Sequence, residues 1–302
     1  MSLINTQGLT KRYGAVVAVD GLTVDVEAGV TGLVGSNGAG KSTLLKIFLG
    51  LLTATEGRAT VLGLDVATKG PEIREHVGYM PEHDCLPSDV SATEFVVHMA
   101  RMSGLPTTSA RERTADILRH VGLYEERYRP MGGYSTGMRQ RVKLAQALVH
   151  DPGLVLLDEP TNGLDPAGRD DMLELIRRIG TEFGISVIVT SHLLGELERV
   201  CDGIVVIDAG RLLRHSTTAS VTATTPIVTI EVDGEQGVLV GRLREAGVSV
   251  DSDGRLLHVD VGDEAAYDIV RDTVAGLGLG LVRLEQRRHR MSEIFTGTGA
   301  DA

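Results

Sequence analysis

The stretch from Gly35 to Thr43, GSNGAGKST, constrains the fold of this chain more than any other part of the sequence. It fits the pattern G-x-x-x-x-G-K-[ST], with an apolar run (Val30 to Val34) before it and a helix-like segment (Ser42 to Leu52) after it. Its glycines permit backbone conformations closed to other residues, so the loop can turn its N–H groups inward onto an anion. The motif therefore predicts a phosphate-binding loop and a nucleoside triphosphate ligand. A chance match is the alternative in a chain with 37 glycines, and the flanking strand and helix argue against it.

The residues of this loop have separate predicted roles. The helix after the loop points its N-terminus, with roughly half a positive charge, at the phosphates. Lys41 is expected to reach the β- and γ-phosphates, and the Ser42 hydroxyl to complete the ligand shell of a Mg²⁺ ion held between them. The residues expected to surround the nucleotide are Ser36, Asn37, Gly38, Ala39, Gly40, Lys41, Ser42 and Thr43.

Composition restricts the class of protein further. The 302 residues suggest one large or two modest domains, and 42% are hydrophobic, enough for a sizeable core. No signal sequence is visible and no apolar run approaches the ~18 residues that span a bilayer, so we expect a soluble protein. Cys85 and Cys201 have no metal-ligand spacing, and both are predicted to be small buried hydrophobes in a reducing cytoplasm. The net charge of −11 argues against nucleic acid as the main partner.

The residues on either side of the loop predict two kinds of structure. Alternating apolar and polar residues from 3 to 27 predict half-buried antiparallel strands. Tyr13 lies within this region, where its ring can stack on a nucleotide base or simply pack, and the pattern alone favours packing. Residues 88 to 149 lose strand character and predict a helical insertion. Its helices are expected at Thr93 to Met102, Ala110 to Val121 and Met138 to Val149.

Two continuous apolar runs, typical of buried parallel strands, end in polar residues. Leu154 to Leu157 leads into Asp158 and Glu159, and the second run ends just before His192. Because the carboxyl ends of parallel strands form one edge of the sheet, these side chains are expected to lie together beside the ligand. Asp158 is predicted to help hold Mg²⁺ and Glu159 to act as a general base on water. His192 is expected to contact the γ-phosphate.

Taken in order, these motifs resemble those of the ATP-binding subunit of an ABC transporter. The deciding segment is Gly133 to Arg141, GYSTGMRQR, which is similar to the ABC signature LSGGQ. Ser135 and Gly137 match the serine and second glycine of that motif. The neighbouring residues Tyr134, Thr136 and Met138 depart from its commonest form.

The resemblance implies a fold and further roles. It implies an α/β P-loop NTPase domain of the ABC type over residues 1–219, with an antiparallel β subdomain and a helical subdomain at about 85–150. Tyr13 matches the aromatic A-loop residue, Asp158 ends the Walker B strand and His192 matches the switch histidine. In a pair of subunits, ATP is expected between the Walker A loop of one and the signature segment, with Ser135 and Gly137, of the other.

One position departs from the family pattern. The family usually carries Gln in the Q-loop, where this chain has Glu82 after Gly78-Tyr79-Met80-Pro81. A glutamate can ligate Mg²⁺ or hold a water, but it adds negative charge beside Asp158, Glu159 and the phosphates. Several subunits of the antibiotic-export branch, which this chain resembles most, also carry Glu there.

Residues 220–302 lie outside these motifs and predict a small α+β domain. Their strand and helix patterns follow the order βαββαβ, which is the ferredoxin-like split motif. Without clustered His, Cys or paired acids, this domain is expected to be regulatory or to stabilise a dimer. Its closing segment, from Leu284 to Phe295, is similar to that of the exporter branch. A basic cluster (Arg283, Arg287, Arg288 and Arg290) is interpreted as a solvated face.

Together, these features predict a Mg²⁺-dependent ATPase that powers a separately encoded membrane permease, for export of a drug, antibiotic or other hydrophobic compound. The chain is expected to form a homodimer or a heterodimer with a paralogue, on the cytoplasmic face of the cell membrane. Two alternatives stay open: a soluble ABC ATPase that acts on nucleic acid or ribosomes, and a nucleotide sensor that does not hydrolyse. A single cassette and the acidic charge argue against the first, and intact Asp158, Glu159 and His192 argue against the second.

Overall fold

The computed structural model describes residues 2–217, 224–234, 236–254, 256–260 and 264–288. The chain forms two compact units, Met1–Thr218 and Ala219–Ala302. Arg290 of the predicted basic cluster and the end of the predicted closing segment, Ile294 and Phe295, lie outside the described residues.

An antiparallel sheet begins the first unit. Its strands stand in the order β2-β1-β4-β5. The predicted alternation is confirmed, since Leu22, Val24 and Val26 of β2 are buried and the residues between them are exposed. The bounds are β1 Ser2–Tyr13, β2 Val16–Glu27, β4 Glu56–Val61 and β5 Leu64–Asp65.

A six-stranded sheet carries the phosphate-binding loop. The strand order is β10-β9-β3-β8-β7-β6, and every pairing is parallel except that of β10 with β9. β3, β7 and β8 are buried along their whole length, as their continuous apolar runs predict. The bounds are β3 Val30–Val34, β6 Val77–Met80, β7 Leu154–Leu157, β8 Ser186–Ser191, β9 Gly203–Asp208 and β10 Arg211–Thr217.

The helices of the first unit fall into two groups. The first group connects the strands: α1 Lys41–Phe48, α2 Gly70–His76, α6 Pro166–Glu182 and α7 Leu194–Leu197. The second group forms the predicted helical insertion: α3 Ala92–Met102, α4 Thr107–His120 and α5 Thr136–Leu148. Ser91 starts α3 with a capping box, in which its hydroxyl accepts from Glu94 N while the Glu94 carboxylate accepts from Ser91 N.

The second unit is a four-stranded antiparallel sheet with two helices. Its order, β12-β13-β11-β14, is the split βαβ arrangement that the sequence predicts. Ile230, Leu239, Leu243, Leu257 and Val259 are fully buried in its core. The bounds are β11 Thr224–Asp233, α8 Gln236–Glu245, β12 Val250–Asp253, β13 Leu256–Asp260, α9 Glu264–Gly276 and β14 Gly280–Arg288.

The structure corrects some expectations. The short strand predicted at His76 to Met80 is confirmed as β6, but α2 lies just before it where no helix is predicted, and β9 and β10 are not predicted at all. Cys201 is buried as expected, whereas Cys85 is exposed, so its prediction as a buried hydrophobe is wrong. Cys85 lies beside exposed His83 and Asp84 in an irregular segment between β6 and α3, and such connecting segments run over the protein surface.

Candidate functional site

The segment between β3 and α1 lines a cleft of about 290 Å³, here called the phosphate cleft. Gly40 must be glycine, since its φ is 102° and a Cβ there would lie 2.2 Å from the carbonyl oxygen of Ala18. A Cβ on Gly35 would lie 2.5 Å from the carbonyl oxygen of Ile207. The cleft is lined by Ala18, Ser36, Asn37, Gly38, Ala39, Gly40, Lys41, Ser42, Thr43, Glu82 and Glu159.

Lys41 is the buried cation of this cleft. Its side chain is only 6% exposed. The ammonium donates to the carbonyl oxygens of Gly35 at 2.7 Å and Ser36 at 3.3 Å. It also lies 3.2 Å from Glu159 Oε1, so a positive charge and a carboxylate meet at the floor of the cleft.

Asp158 and Glu159 follow β7, and Thr190 of β8 holds both. The Thr190 hydroxyl donates to Asp158 Oδ1 at 3.0 Å and accepts from the backbone N–H of Glu159 at 2.8 Å. Glu159 has φ of 48°, in the left-handed region, which is uncommon for a residue other than glycine. Strained backbone of this kind persists only where surrounding contacts hold it, and the hydrogen bond from the Glu159 N–H to Thr190 is one such contact. Sequence reasoning assigned Thr190 no role.

The two carboxylate oxygens of Glu159 have different surroundings. Oε2 lies 3.0 Å from Nδ1 of His192, so these two predicted site residues are brought together. Oε1 is buried and accepts no hydrogen bond, although the Lys41 ammonium is near. A buried acceptor without a donor is costly in a folded protein, so Oε1 is suited to receive a proton or a hydrogen bond from a ligand in the cleft.

Glu82 lies at the rim of the same cleft and joins it to the helical insertion. Its Oε1 accepts from Asn162 Nδ2 at 3.3 Å, and its carbonyl oxygen accepts from the ammonium of Lys143 at 2.8 Å. Lys143 is 2% exposed, and burial lowers the pKa of its ammonium, with Cys85 and nearby acids opposing that shift.

A row of polar side chains on α5 holds the backbone near Glu82 and that of Asn162. Gln146 donates to the carbonyl oxygen of Tyr79 at 2.6 Å, and Gln140 donates to that of Asn162 at 3.1 Å. Lys143 lies between them on the helix. These residues follow at intervals of three, which places them on one side of α5. Sequence reasoning did not single out this row, because its acceptors are backbone groups distant in the chain.

Ser135 and Gly137 lie apart from the phosphate cleft. Ser135 is the N-cap of α5, and its hydroxyl accepts from the backbone N–H of Met138 at 3.3 Å. Ser135 and Thr136 are exposed, and neither Ser135 nor Gly137 lines the cleft of its own chain. The signature segment thus presents a capped helix N-terminus to the surface.

Tyr13 also lies outside the lining of the cleft. Its ring is 47% exposed at the end of β1, and the Lys11 ammonium is 5.1 Å from the ring centroid. The ring is therefore only partly packed, with the Lys11 side chain over it, and its role in base stacking stays a prediction. An exposed face leaves it free to stack on a planar group.

Comparisons with known proteins agree with this geometry. The family model described as ABC transporter matches residues 19–162. The daunorubicin resistance ATP-binding protein DrrA3 of Streptomyces coeruleorubidus is 34% identical over 299 residues, which cover 97% of this chain and 94% of the relative. This chain belongs to the ABC transporter ATP-binding protein family. The bacitracin transport ATP-binding protein BcrA of Bacillus licheniformis is 37% identical over 215 residues, 71% of this chain and 69% of that protein.

Solved ABC ATPases share the fold. The structure of cbiO1 from Clostridium perfringens, part of the ABC transporter complex cbiONQ, superposes with a TM-score of 0.67 at 28% identity. The match covers 82% of this chain and 97% of that one. The predicted fold class and the predicted ATPase activity are confirmed: the chain is the ATP-binding and ATP-hydrolysing subunit of an ABC transporter. These relatives give no support to action on nucleic acid or ribosomes.

Among the described residues, no helix combines the length and the apolar character that a membrane crossing requires.

Proposed function

We propose that this ABC ATPase powers export of a drug or antibiotic-like compound through a separately encoded permease, to which it binds on the cytoplasmic face of the membrane. Relatives named for resistance to daunorubicin and linearmycin and for bacitracin transport support the class of cargo. The observation that carries the ATPase part is the buried pair of Lys41 and Glu159 at the phosphate cleft, with the more exposed His192 in contact with Glu159.

Binding of ATP is assigned to the loop between β3 and α1. The N–H groups of the loop and the N-terminus of α1 face the phosphates, and the Lys41 ammonium exchanges its carbonyl acceptors for phosphate oxygens. The exchange is favourable because a charge-assisted hydrogen bond is stronger than one to a neutral carbonyl. Tyr13 is assigned to stack on the base.

Hydrolysis is assigned to Glu159. Its unsatisfied Oε1 takes the proton of a water while the water oxygen bonds to the γ-phosphorus. The bond from that phosphorus to the β,γ-bridging oxygen breaks, and ADP leaves with the electron pair. His192 holds the other carboxylate oxygen of Glu159, so it acts as a positioning residue for the base and can reach the γ-phosphate.

The donor set of the cleft fits Mg²⁺. Ser42 and Glu82 line the cleft, whereas the buried Asp158 carboxylate is not part of its lining and directly precedes Glu159 in the chain. All three are oxygen donors, which Mg²⁺ prefers. The described residues contain no group of three His, Cys, Asp or Glu side chains that could hold a metal alone, so phosphate oxygens and water would supply the other ligands. When bound, Mg²⁺ offsets negative charge on the phosphates.

The exposed signature segment supports a pair of subunits. Ser135, Gly137 and the N-terminus of α5 provide hydrogen-bond donors and a partial positive charge that no group of the same cleft uses. We assign them to the γ-phosphate of ATP bound to a second copy or a paralogue. Loss of the γ-phosphate then removes the contact and the pair opens.

The permease is assigned to the groove between the segment after Glu82 and α5. A cavity of about 260 Å³ lies there, and the ion pair of Asp84 with Arg139 lies at its rim. Because the row on α5 holds the backbone of Glu82, movement of this loop is linked to the signature segment. The cavity is lined by Glu82, Asp84, Tyr134, Thr136, Arg139, Gln140 and Lys143.

The test is a pull-down of tagged Glu159→Gln protein from native membranes with ATP, followed by mass spectrometry. The variant should retain ATP binding, lose turnover by about 100-fold or more, and co-purify a multi-span membrane protein. Glu174→Gln, an exposed position on α6, is the matched control and should keep full turnover. Recovery of ribosomes or nucleic acid alone, or full turnover of Glu159→Gln, would contradict the proposal.

A further inference from the structure

The last strand of the second unit has an apolar, partly uncovered edge. β14 pairs with β11, and in the described part of the sheet it has no neighbour on its other side. Its side chains Leu281, Val282 and Leu284 are 48%, 62% and 47% exposed. An edge strand with unpaired N–H and C=O groups is a template for pairing with another strand.

The charges of β14 select one occupant for this edge. Arg283 and Glu285 flank Leu284, so the sequence around Leu284 is complementary to itself when a second copy runs antiparallel. We propose that β14 pairs with β14 of a second copy of this chain about a two-fold axis at Leu284. The pairing joins two four-stranded sheets into one of eight strands and does not depend on nucleotide.

The register follows from the side chains that face each other. In the proposed pairing, Arg283 lies opposite Glu285 of the partner subunit, and the symmetry repeats this contact. Moving the axis by one residue places Arg283 opposite Arg283 of the partner subunit, or Glu285 opposite Glu285 of the partner subunit. Both of these registers put like charges together, so the charge pattern favours the axis at Leu284.

The apolar residues favour the same arrangement. Leu284 is the register partner of buried Ile230 on β11, so it lies on the face of the sheet that carries the core. At the axis, the two copies of Leu284 meet on that face and shield each other from water. Arg283 and Glu285 lie on the opposite face, where they already contact each other within the strand.

Edge pairing alone buries little surface, so the contact should be weak between free chains. In a transporter that holds two such subunits, the β14 pairing is a contact within one assembly, and the effective concentration of one strand at the other is about 1 mM. This last step rests on the proposed function; the pairing itself does not. It adds a contact between the two subunits that persists after ATP hydrolysis.

The first test reverses the charges. Full-length chains carry Lys41→Ala, which removes the nucleotide-dependent contact. Because the contact is weak between free chains, self-association is measured by sedimentation without nucleotide at chain concentrations up to about 1 mM, the effective concentration expected in the transporter. Arg283→Glu and Glu285→Arg should each weaken self-association about 10-fold, since each places like charges at two positions. An equimolar mixture of the two variants should restore it, because opposite charges face each other again between unlike copies. No association of the parent chain, or no recovery in the mixture, would overturn the pairing.

The second test fixes the axis. In a Cys85→Ser background, Leu284→Cys should form a disulfide between copies, since directly opposed residues have Cα atoms about 4.5–5.5 Å apart. Leu281→Cys is the control, because exposed Leu281 lies three residues from the proposed axis and the two substituted positions are therefore far apart. Equal cross-linking of both variants would refute the register, whereas ATP binding of the parent chain tests the ATPase proposal separately.

Discussion

The two parts of the proposed nucleotide site, the phosphate cleft and the signature segment, are built differently. At the phosphate cleft, Lys41, Asp158 and Glu159 are 6%, 2% and 6% exposed, and Thr190 fixes both acids. At the signature segment, Ser135 is exposed and its hydroxyl contacts only its own helix among the described contacts. Buried charges need partners within the chain, whereas an exposed helix N-terminus is solvated and is stable without a partner. The first part is therefore preorganised, and the second is the part that we propose another subunit completes.

The largest expected effect comes from removing the cation of the cleft. Lys41→Met should weaken ATP binding roughly 100-fold, since about two charge-assisted hydrogen bonds of ~1.5 kcal/mol each are lost. Calorimetry of the isolated chain measures this affinity. Lys46→Met is the matched control, because Lys46 lies on the same helix and is exposed. Equal affinities of the two variants would argue against the phosphate-loop assignment.

Ser135→Ala should separate the role of the signature segment from that of the phosphate cleft. ATP binding to a single chain should stay unchanged, while turnover falls about 10-fold to 100-fold, because a donor to the γ-phosphate is lost only in the pair. Loss of the N-cap should also lower the free energy of unfolding by about 1 kcal/mol. Ser91→Ala, which removes the cap of α3, controls for that loss and should keep its turnover. Weaker ATP binding in the unpaired Ser135→Ala chain would mean that Ser135 acts on the nucleotide of its own chain, contrary to the proposed division.

Thr190→Val should loosen the preorganised part without removing a charge. Asp158 and the Glu159 N–H both lose a buried partner, and we expect turnover to fall about 10-fold with a smaller change in ATP affinity. Thr190→Ser keeps the hydroxyl and should restore turnover. Steady-state kinetics that separate kcat from KM measure the effect, and a change in KM alone would mean that Thr190 serves binding rather than the positioning of Glu159.

Sequence was sufficient where spacing fixes geometry. The loop from Gly35 to Thr43 has one workable backbone path, and Asp158 and His192 follow continuous apolar runs that can only be buried parallel strands here. Their meeting at one sheet edge follows from the parallel order of β7 and β8. The contact of His192 with Glu159 was not foreseen in detail, since it depends on the turn after β8.

Sequence was insufficient where a contact joins distant backbone. Thr190 is one of many threonines, and its role exists only because β8 lies beside β7. Lys143 reads as an ordinary helix residue, since its burial depends on the carbonyl of Glu82 lying above α5. α2 was missed because its seven residues begin with Gly70 and Pro71, which are typical of a loop, and tertiary packing of Ile73 decides the conformation.

The smallest expected effect is on stability and concerns Lys143, which joins α5 of the signature segment to Glu82 at the phosphate cleft. Burial lowers the pKa of Lys143 below its ordinary value of 10.5, so the unfolded chain binds more protons between the lowered pKa and 10.5. Stability from this group therefore rises with pH across that window. Lys143→Met removes the dependence. The free energy of unfolding of the variant should exceed that of wild type by on the order of 1 kcal/mol near neutral pH, and this difference should shrink as pH approaches 10.5.

Denaturant unfolding from pH 7 upward measures the difference. Gln146→Met, which loses a similar bond to a backbone carbonyl but no titrating group, should differ from wild type by a constant amount. A parallel pH profile for Lys143→Met would mean that the ammonium is not desolvated, and the signature helix would then be held to the Glu82 loop by a solvated contact.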